Sequence, residues 1–293
     1  MDDTMSGQAA GRAWELGIVT RESCRRDLPR GIFGELLATC LFLFVIITPI
    51  QFIGKNNLTE VEGGALDSAT RLAIAIQHAL GIIVLVYTFA GVSGAQLNPA
   101  VTFGLLLARR VSLERFVCYV AAQCLGAVAG AALATSFLGG VNGGENRVAP
   151  DVDAMAAFGG EVVCTFILVT TVFAATDGDL GRELKHIEAQ LPAAIGFAVA
   201  IGVMCLLPVD GCSLNPARSL GTAVVANVWD DHWVFWLGPM VGGGLSALVW
   251  EALLRPAQRL PAPGQRRSSI DGVMRPEEGS LQGGVKHVLV AEG

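Results

Sequence analysis

The sequence is poor in charged residues and lacks the spacings that bind metals. Charged residues make up 16% of its 293 residues, whereas an ordinary soluble domain has about 25%. Its seven cysteines are scattered, with no CxxC pair and no histidine cluster, so we expect neither a disulfide framework nor a metal or cofactor site. The sequence has no block of basic residues, so nucleic acid is not expected as a partner. The structural class of the protein therefore has to be inferred from its apolar residues, which make up 52% of the chain.

The apolar residues are gathered in runs long enough to cross a lipid bilayer. A helix of roughly 20 apolar residues spans the hydrocarbon core, and six such runs lie at residues 32–53, 72–90, 116–138, 156–175, 191–207 and 234–254. Two shorter runs, 97–108 and 214–225, would form helices of roughly 17–18 Å, about half of that core. The sequence thus predicts an all-α, multi-pass membrane protein with six transmembrane helices and two re-entrant half-helices.

The distribution of lysine and arginine predicts how the spans are oriented. With six spans, both tails and the second and fourth connections share one side, and these segments hold 16 of the 20 basic residues. The positive-inside rule places that side in the cytoplasm. The N-terminal tail, 1–30, is polar and lacks the apolar stretch of a cleaved signal peptide. The C-terminal tail, 256–293, is rich in Pro, Gly, Ser and charge and is expected to be disordered, which leaves a membrane domain at 31–255.

The two halves of the membrane domain, about 31–138 and 156–255, resemble each other. Glu35 in the first span and Glu161 in the fourth each follow a glycine and precede a threonine by four residues. An Asn-Pro-Ala triplet lies in each short apolar run, formed by Asn98, Pro99 and Ala100 in the first half and by Asn215, Pro216 and Ala217 in the second. Because each half has three spans, the second copy must be inverted in the membrane. Inverted repeats place a functional path at their interface, near the middle of the bilayer.

Asn-Pro-Ala at the start of a short apolar helix has a mechanical interpretation. The Asn side-chain oxygen caps the helix by accepting a backbone N–H, and Pro suits the first helical position. The amide NH₂ group is then expected to be free to face a cavity. Two such helices meeting at their N-termini would place two amide donors and two positive dipole ends at one point. Water there could only accept hydrogen bonds, which would interrupt a hydrogen-bonded chain of waters and exclude protons and cations.

Two Asn-Pro-Ala triplets in a membrane inverted repeat are typical of aquaporins (major intrinsic proteins), which this chain resembles over about residues 30–255. Within that family it is most similar to the plant-type plasma-membrane intrinsic proteins, in the stretches 107–113, 122–127, 172–177 and 229–236. The resemblance implies an aquaporin-like right-handed bundle of six helices, a homotetramer in the plasma membrane, and one water pore per subunit.

The resemblance also implies a selectivity filter of four residues outside the Asn-Pro-Ala centre. The family positions fall here on His78, Val203, Cys212 and Arg218. Strict water channels typically carry Phe in the second span and His in the fifth, so this pair predicts a wider filter that also admits ammonia, urea or hydrogen peroxide. The alternative for His78 is a core histidine bonded to a backbone carbonyl. Ser219 stands where glycerol channels usually carry Asp, which predicts that glycerol is a poor substrate.

Carboxylates inside apolar spans are costly to bury and indicate a function. One interpretation of Glu35 and Glu161 is a proton relay. The other is structural, with each carboxylate accepting hydrogen bonds from the unwound backbone of a re-entrant loop, and their repeat-related positions favour it. Gln123 is expected to have a similar role. Small residues four apart predict close helix packing in lipid, at Ala122, Gly126 and Gly130 and at Gly238 and Gly242.

Serine and asparagine residues near the predicted membrane surfaces are candidates for modification. Ser112 follows two arginines and a valine on a predicted cytoplasmic loop, a context suited to a kinase, where phosphate would add charge near the arginines. Ser268 and Ser269 follow two further arginines and form a second candidate kinase site. Asn57 begins an Asn-Leu-Thr glycosylation sequon in a predicted outer loop.

His186 is a candidate pH sensor for gating. It lies nine residues after Asp177, as does the histidine of the cytoplasmic pH gate in the plasma-membrane subfamily. Protonation near pH 6.5 would then close the loop over the pore. The alternative is a solvated loop histidine, and Gln190 stands where that subfamily has a plugging leucine.

The sequence is compatible with three functions. A passive water channel is preferred, and a channel mainly for ammonia, urea or peroxide is kept open by His78 and Val203. An ion-coupled secondary transporter would also use inverted repeats and broken helices, with Glu35 and Glu161 as carriers. An enzyme is not predicted, because no nucleophile, base and oxyanion grouping can be drawn.

Overall fold

The computed structural model describes residues 21–56, 66–140, 143–177 and 190–255, with the side chains of 21–26 excepted. Within these residues the chain forms eight α-helices and a short π-helical ending. In chain order they are α1 (Arg21–Lys55), α2 (Ser68–Ser93), α3 (Pro99–Leu107), α4 (Leu113–Leu138), α5 (Ala154–Thr176), α6 (Leu191–Asp210), α7 (Pro216–Ala226) and α8 (Val234–Val249), which continues as a π-helix over Trp250–Leu254. The candidate regulatory residues Asn57, His186, Ser268 and Ser269 lie outside the described residues.

Each predicted span coincides with one of the six long helices, and each predicted half-helix coincides with a short one. All six long helices are long and apolar enough to cross a membrane, which confirms the prediction of an all-α, multi-pass membrane protein. The helices extend beyond the apolar runs because capping of the backbone, and not hydrophobicity alone, sets their ends. Asp67, for example, begins α2 by accepting the backbone N–H of Thr70 at 2.9 Å, and this hydrogen bond lowers the pKa of the Asp67 carboxyl.

The helices pack as two halves related by the inverted repeat. In the first half α1 packs along α4, and in the second half α5 packs along α8. The halves are joined where α2 packs against α6. They are also joined by the half-helices, since α3 contacts α8 and α7 contacts α4. Each half-helix is thus held by the third long helix of the other half, at the interface where an inverted repeat places its functional path.

Glycines make these half-helix contacts possible. Gly104 of α3 and Gly221 of α7 occupy the same position in the two repeats. A side chain on Gly104 would collide with the Val169 side chain of α5 and crowd the backbone oxygen of Gly243 in α8, and one on Gly221 would collide with the backbone of Ala127 in α4. Backbones can therefore approach more closely than side chains would allow, which is how small residues favour helix association in lipid.

The predicted small-residue runs lie where the long helices pair. A methyl group added to Gly126 or Gly130 of α4 would strike the backbone of α1. One added to Gly242 of α8 would strike the backbone of α5, and one added to Gly238 would strike the Glu161 side chain. These contacts support the packing interpretation of both runs.

The exterior of the bundle is apolar, unlike that of a soluble protein. Large apolar side chains face outward along the long helices, among them Val84, Phe197 and Leu248, each at least 60% exposed. Polar side chains such as Glu35 and Gln123 are fully buried. This arrangement suits a bundle surrounded by lipid, since polar groups in a membrane protein face its interior.

Candidate functional site

A cavity of about 270 Å³ lies between the two halves of the bundle. At one end, called here the filter end, its wall includes all four residues predicted for the selectivity filter, His78, Val203, Cys212 and Arg218. At the opposite end it is lined by Thr176, Leu191 and Pro192, where α5 ends and α6 begins. Asn98 and Asn215 also line the cavity, so the fold brings every predicted pore asparagine and filter residue to one space.

Both asparagines cap their half-helices as the sequence predicts. The Oδ1 atom of Asn98 accepts the backbone N–H of Ala100 at 2.8 Å. The Oδ1 atom of Asn215 accepts the N–H groups of Ala217 at 3.0 Å and Arg218 at 3.3 Å. Pro99 and Pro216 occupy the first helical positions, where no N–H is needed. The N-termini of α3 and α7, which are the positive ends of their dipoles, are thus directed at the cavity centre.

The amide nitrogens are not as free as the sequence suggested. Asn98 donates from Nδ2 to the carbonyl of Leu214 at 2.7 Å, and Asn215 donates from Nδ2 to the carbonyl of Leu97 at 2.8 Å. Each asparagine therefore bonds to the loop of the opposite half, which fixes the two tips against each other. An amide group carries two N–H hydrogens, so one on each residue remains for a molecule in the cavity. The two tips lie close enough to share hydrogen bonds, which spacing along the chain does not reveal.

The residues before each asparagine turn the backbone sharply. Ala95 and Leu97 have positive φ angles of 48° and 53°, and their repeat partners Cys212 and Leu214 have 57° and 52°. A positive φ is uncommon for a residue with a side chain. Such a conformation persists where surrounding groups hold it, and in both loops a buried carboxylate supplies that support.

Glu35 holds the first loop through four hydrogen bonds. Its carboxylate accepts the backbone N–H groups of Gln96 at 3.0 Å and Leu97 at 2.7 Å. It also accepts the Ser93 hydroxyl at 2.6 Å and the Gln123 amide at 2.8 Å. Gln123 makes a second bond at 3.0 Å to the hydroxyl of Thr102 in α3, so it links α4, Glu35 and the half-helix.

Glu161 holds the second loop with fewer partners. Its carboxylate accepts the backbone N–H groups of Ser213 at 2.6 Å and Leu214 at 2.8 Å. Neither Glu161 nor Glu35 is among the described residues that line the cavity. Both carboxylates thus face backbone donors and not the path, which supports the structural interpretation over a proton relay.

His78 combines the two roles that the sequence left as alternatives. Its Nδ1 lies 2.8 Å from the backbone oxygen of Ile74, one turn earlier in α2. Because a carbonyl can only accept, Nδ1 must carry the hydrogen, and Nε2 of the neutral ring is left as an acceptor. The ring also packs edge-on against Phe42, with centroids 6.4 Å apart, and lines the cavity. The carbonyl bond therefore orients a histidine that lines the cavity.

Arg218 is positioned by a residue that the sequence did not indicate. It is 3% exposed, and its Nη1 donates to Oδ1 of Asn146, which also accepts the Ser219 hydroxyl at 2.7 Å. Asn146 is itself buried and donates from Nδ2 to the backbone oxygen of Asp210 at 3.1 Å. An Asn in a Gly-Gly-Glu-Asn connection is typical of an ordinary turn, so only its contacts identify it.

Ser112 has a structural role that the sequence did not indicate. It caps α4 by accepting the backbone N–H of Arg115 at 3.1 Å. The neighbouring Arg110 lies 3.2 Å from Glu251 and 3.4 Å from Asp177, with its guanidinium 4.7 Å from the centre of the Phe173 ring. The connection between α3 and α4 is thus tied to the ends of α5 and α8. A helix N-terminus favours an anion, so phosphorylation of Ser112 stays a prediction compatible with this geometry.

Comparisons with known proteins agree with this geometry. The family described as Major intrinsic protein matches residues 22–250. A protein named probable aquaporin PIP2-8, from Arabidopsis thaliana, is 44% identical over 78% of this chain and 82% of its own. Aquaporin PIP2-5 from Oryza sativa subsp. japonica is 42% identical over 80% of this chain and 86% of its own. Among solved structures, the aquaglyceroporin from Plasmodium falciparum has a TM-score of 0.60 at 21% identity, covering 78% of this chain and 98% of its own, which shows a shared fold.

Proposed function

The chain belongs to the major intrinsic protein family, and on this premise we propose that it is a passive water channel that excludes protons and ions. The observation that supports the proposal most directly is the pair of asparagines lining one cavity at the N-termini of α3 and α7. Each keeps one amide hydrogen for a molecule between them.

Proton exclusion follows from the polarity of this centre. A water between Asn98 and Asn215 meets two donors and two positive helix ends, so it accepts hydrogen bonds from both tips. Its own hydrogens then point away from the centre toward both ends of the cavity. A proton cannot be relayed through a chain of waters whose orientation reverses at one point, and the positive potential repels cations.

The filter is proposed to pass small neutral solutes besides water. His78 presents an acceptor nitrogen, Arg218 presents hydrogen-bond donors, and Val203 and Cys212 complete the wall. Val203 is smaller than the histidine that strict water channels carry in the fifth span. Ammonia is neutral and close to water in size, so the filter is expected to admit it, together with hydrogen peroxide or urea. A channel mainly for such a solute is the second candidate function.

An ion-coupled transporter is not favoured. It would need Glu35 and Glu161 to take up and release ions from the path. Both carboxylates are fully buried and accept backbone N–H groups at 2.6–3.0 Å, and releasing them would leave those donors unpaired, at a cost of about 1–3 kcal/mol each.

The assembly and its placement are part of the proposal. We infer a homotetramer in the plasma membrane, with both termini in the cytoplasm and the filter end outside. The family relationship supports the tetramer and the membrane, and the basic residues of the tails and of the second and fourth connections support the orientation. The membrane domain at 31–255 and the disordered tail at 256–293 stay predictions. The regulatory roles of Asn57, Ser112, His186, Ser268 and Ser269 stay predictions as well.

Stopped-flow measurements on proteoliposomes test the function. Reconstituted protein should accelerate osmotic shrinkage without dissipating an imposed pH gradient. Ammonia, urea and glycerol gradients applied to the same vesicles rank the solutes, with glycerol expected to be the slowest. Proton flux that rises together with water flux would contradict a channel and favour the transporter. Ammonia flux without water flux would favour the second candidate.

A further inference from the structure

Asp210 is a buried carboxylate beside the filter that the proposed function does not use. It is the last residue of α6 and is 1% exposed. It lies two residues before Cys212, and its repeat partner in the first loop is Ser93, which is two residues before Ala95. The same position in the two loops is thus a carboxylate in one and a hydroxyl in the other.

Asp210 and Ser93 share one function. The Ser93 hydroxyl accepts the backbone N–H of Ala95 at 3.1 Å. The Oδ1 atom of Asp210 accepts the backbone N–H of Cys212 at 2.9 Å. Each bond holds a residue whose φ angle is positive. A hydroxyl is sufficient to support this turn in the first loop, so the turn alone does not explain a carboxylate in the second.

The second oxygen of Asp210 is the feature that Ser93 lacks. Among the described residues, Oδ2 of Asp210 is buried without a hydrogen-bond partner. Ser93 also donates to Glu35 at 2.6 Å, whereas an ionised carboxylate cannot donate to Glu161. Burying a carboxylate in place of a hydroxyl is costly unless an opposite charge lies nearby. The neighbourhood of Asp210 contains one.

Arg218 is that opposite charge. Its Nη1 donates to Asn146, whose amide donates to the backbone oxygen of Asp210 at 3.1 Å. Its Nη2 lies 3.5 Å from the backbone oxygen of Gly211, the residue after Asp210. Its Nε is buried without a hydrogen-bond partner among the described residues, as is Oδ2 of Asp210. The corresponding residue in the first half is Val101, so Ser93 has no positive charge to balance.

We propose that Asp210 supplies the counter-charge of Arg218 and is therefore a specificity-determining residue of the filter. The carboxylate makes the potential at the filter end less positive than it would be without Asp210. Exclusion of cations then depends mainly on the N-termini of α3 and α7 at the centre of the path. The inference rests on the proposed function, in that the filter is taken to lie on the conducting path.

The thiol of Cys212 provides a local probe of this potential. It lines the cavity beside Arg218 and is held by Asp210 itself. Small methanethiosulfonate reagents of opposite charge, trimethylammonium and sulfonate, are added from outside to proteoliposomes that contain the full chain. The rates of Cys212 modification are measured by mass spectrometry, with Cys212→Ser as the blank. The ratio of the cationic to the anionic rate reports the potential and does not depend on how much protein is reconstituted.

Four variants separate charge from shape. Asp210→Asn and Asp210→Ser keep an acceptor for the Cys212 N–H but remove the charge, and they should lower the ratio roughly tenfold, as expected for one unit charge within several ångströms. Asp210→Glu keeps the charge and should keep the ratio within about twofold of the wild type. Asp230→Asn is the matched control, because it removes one negative charge from the exposed surface of the same region. Asp230 forms an exposed ion pair with Arg147, and the backbone N–H of Arg147 donates to the backbone oxygen of Asp210. It should leave the ratio unchanged.

The outcomes are distinct. A ratio that stays within twofold of the wild type in both Asp210→Asn and Asp210→Ser would overturn the inference. An equal fall in Asp230→Asn would also overturn it, since the effect would then be general surface charge. Failure of the proposed function has a different result: the wild type would conduct no water, although its modification ratio could still be measured.

Discussion

The two re-entrant loops have nearly the same backbone but different polar side chains. In both, an asparagine caps a half-helix, two residues have positive φ angles, and a glutamate from the first helix of the same half binds consecutive N–H groups. The first loop adds Ser93 and Gln123 to its glutamate. The second has Arg218 where the first has Val101. Both copies of the repeat thus hold the loop backbone in the same way, whereas the proposed filter uses residues that are present in one copy only.

Removal of the two glutamates should have the largest effect and should differ between the loops. Glu35→Ala leaves four donors without their acceptor, and Glu161→Ala leaves two. At about 1–3 kcal/mol for each unsatisfied donor, Glu35→Ala should destabilise the protein by roughly 4 kcal/mol or more and Glu161→Ala by roughly half as much. Thermal unfolding in detergent, followed by size-exclusion chromatography, measures the order. Equal losses would mean that the extra bonds of Ser93 and Gln123 contribute nothing.

Thiol reagents should distinguish the two ends of the path. A mercurial added from outside should block most water flux through the wild type, because Cys212 lines the filter end, and Cys212→Ser should be resistant. Ala95, the repeat partner of Cys212, also lines the cavity. Ala95→Cys in the Cys212→Ser background should therefore restore block, but mainly for reagent applied from the cytoplasmic side. Sensitivity that persists in Cys212→Ser would assign the reactive thiol to another residue.

The filter itself should control solute selectivity without affecting the central asparagines. The double variant His78→Phe, Val203→His introduces the residues of strict water channels and should narrow the filter end. Ammonia flux should fall roughly tenfold, which is about 1.4 kcal/mol in the barrier, while water flux falls less. Paired stopped-flow measurements of both solutes give the ratio. An unchanged ratio would show that these two positions do not set selectivity.

The smallest expected effect concerns His232, in the segment that follows α7. Its Nε2 accepts the Trp236 indole N–H at 3.2 Å. Partial burial lowers the pKa of His232. The folded state therefore favours the neutral form of His232. The stability of the protein is expected to be full above the pKa of an unfolded histidine, near 6.5, and to fall as the pH drops below that value. Solvent screening should limit the loss to less than about 1 kcal/mol. Thermal unfolding at pH 7.5 and 5.5 should show a smaller shift in His232→Gln than in the wild type.

Much of the fold was predictable because its signals are local. Runs of apolar residues predicted all six long helices, and two repeated triplets predicted both half-helices with their caps. The four filter positions followed from counting along the chain within a known family. Their meeting at one cavity required the fold, since they come from α2, α6, the second loop and α7.

Other features were not predictable, because they depend on which groups meet. The bonds from Asn98 and Asn215 to opposite loops, and the contact of Asn146 with Arg218, join residues more than 70 positions apart. The role of His78 was also not predictable. From the sequence, a hydrogen bond to a backbone carbonyl and a place in the cavity wall were alternatives, whereas in the structure His78 has both.

The sequence by itself determined the six membrane-spanning helices, the inverted repeat and the two capped half-helices, because hydrophobic length and helix capping act over a few neighbouring residues. The tertiary structure decided that Glu35 and Glu161 bind the loop backbone and do not line the cavity, which residue orients Arg218, and that Asp210 is buried. Buried polar groups must find partners wherever the fold supplies them, and those partners come from helices that lie far apart along the chain. The half-helices and their caps were thus determined locally, whereas the support of the loops and the surroundings of Arg218 were determined by packing.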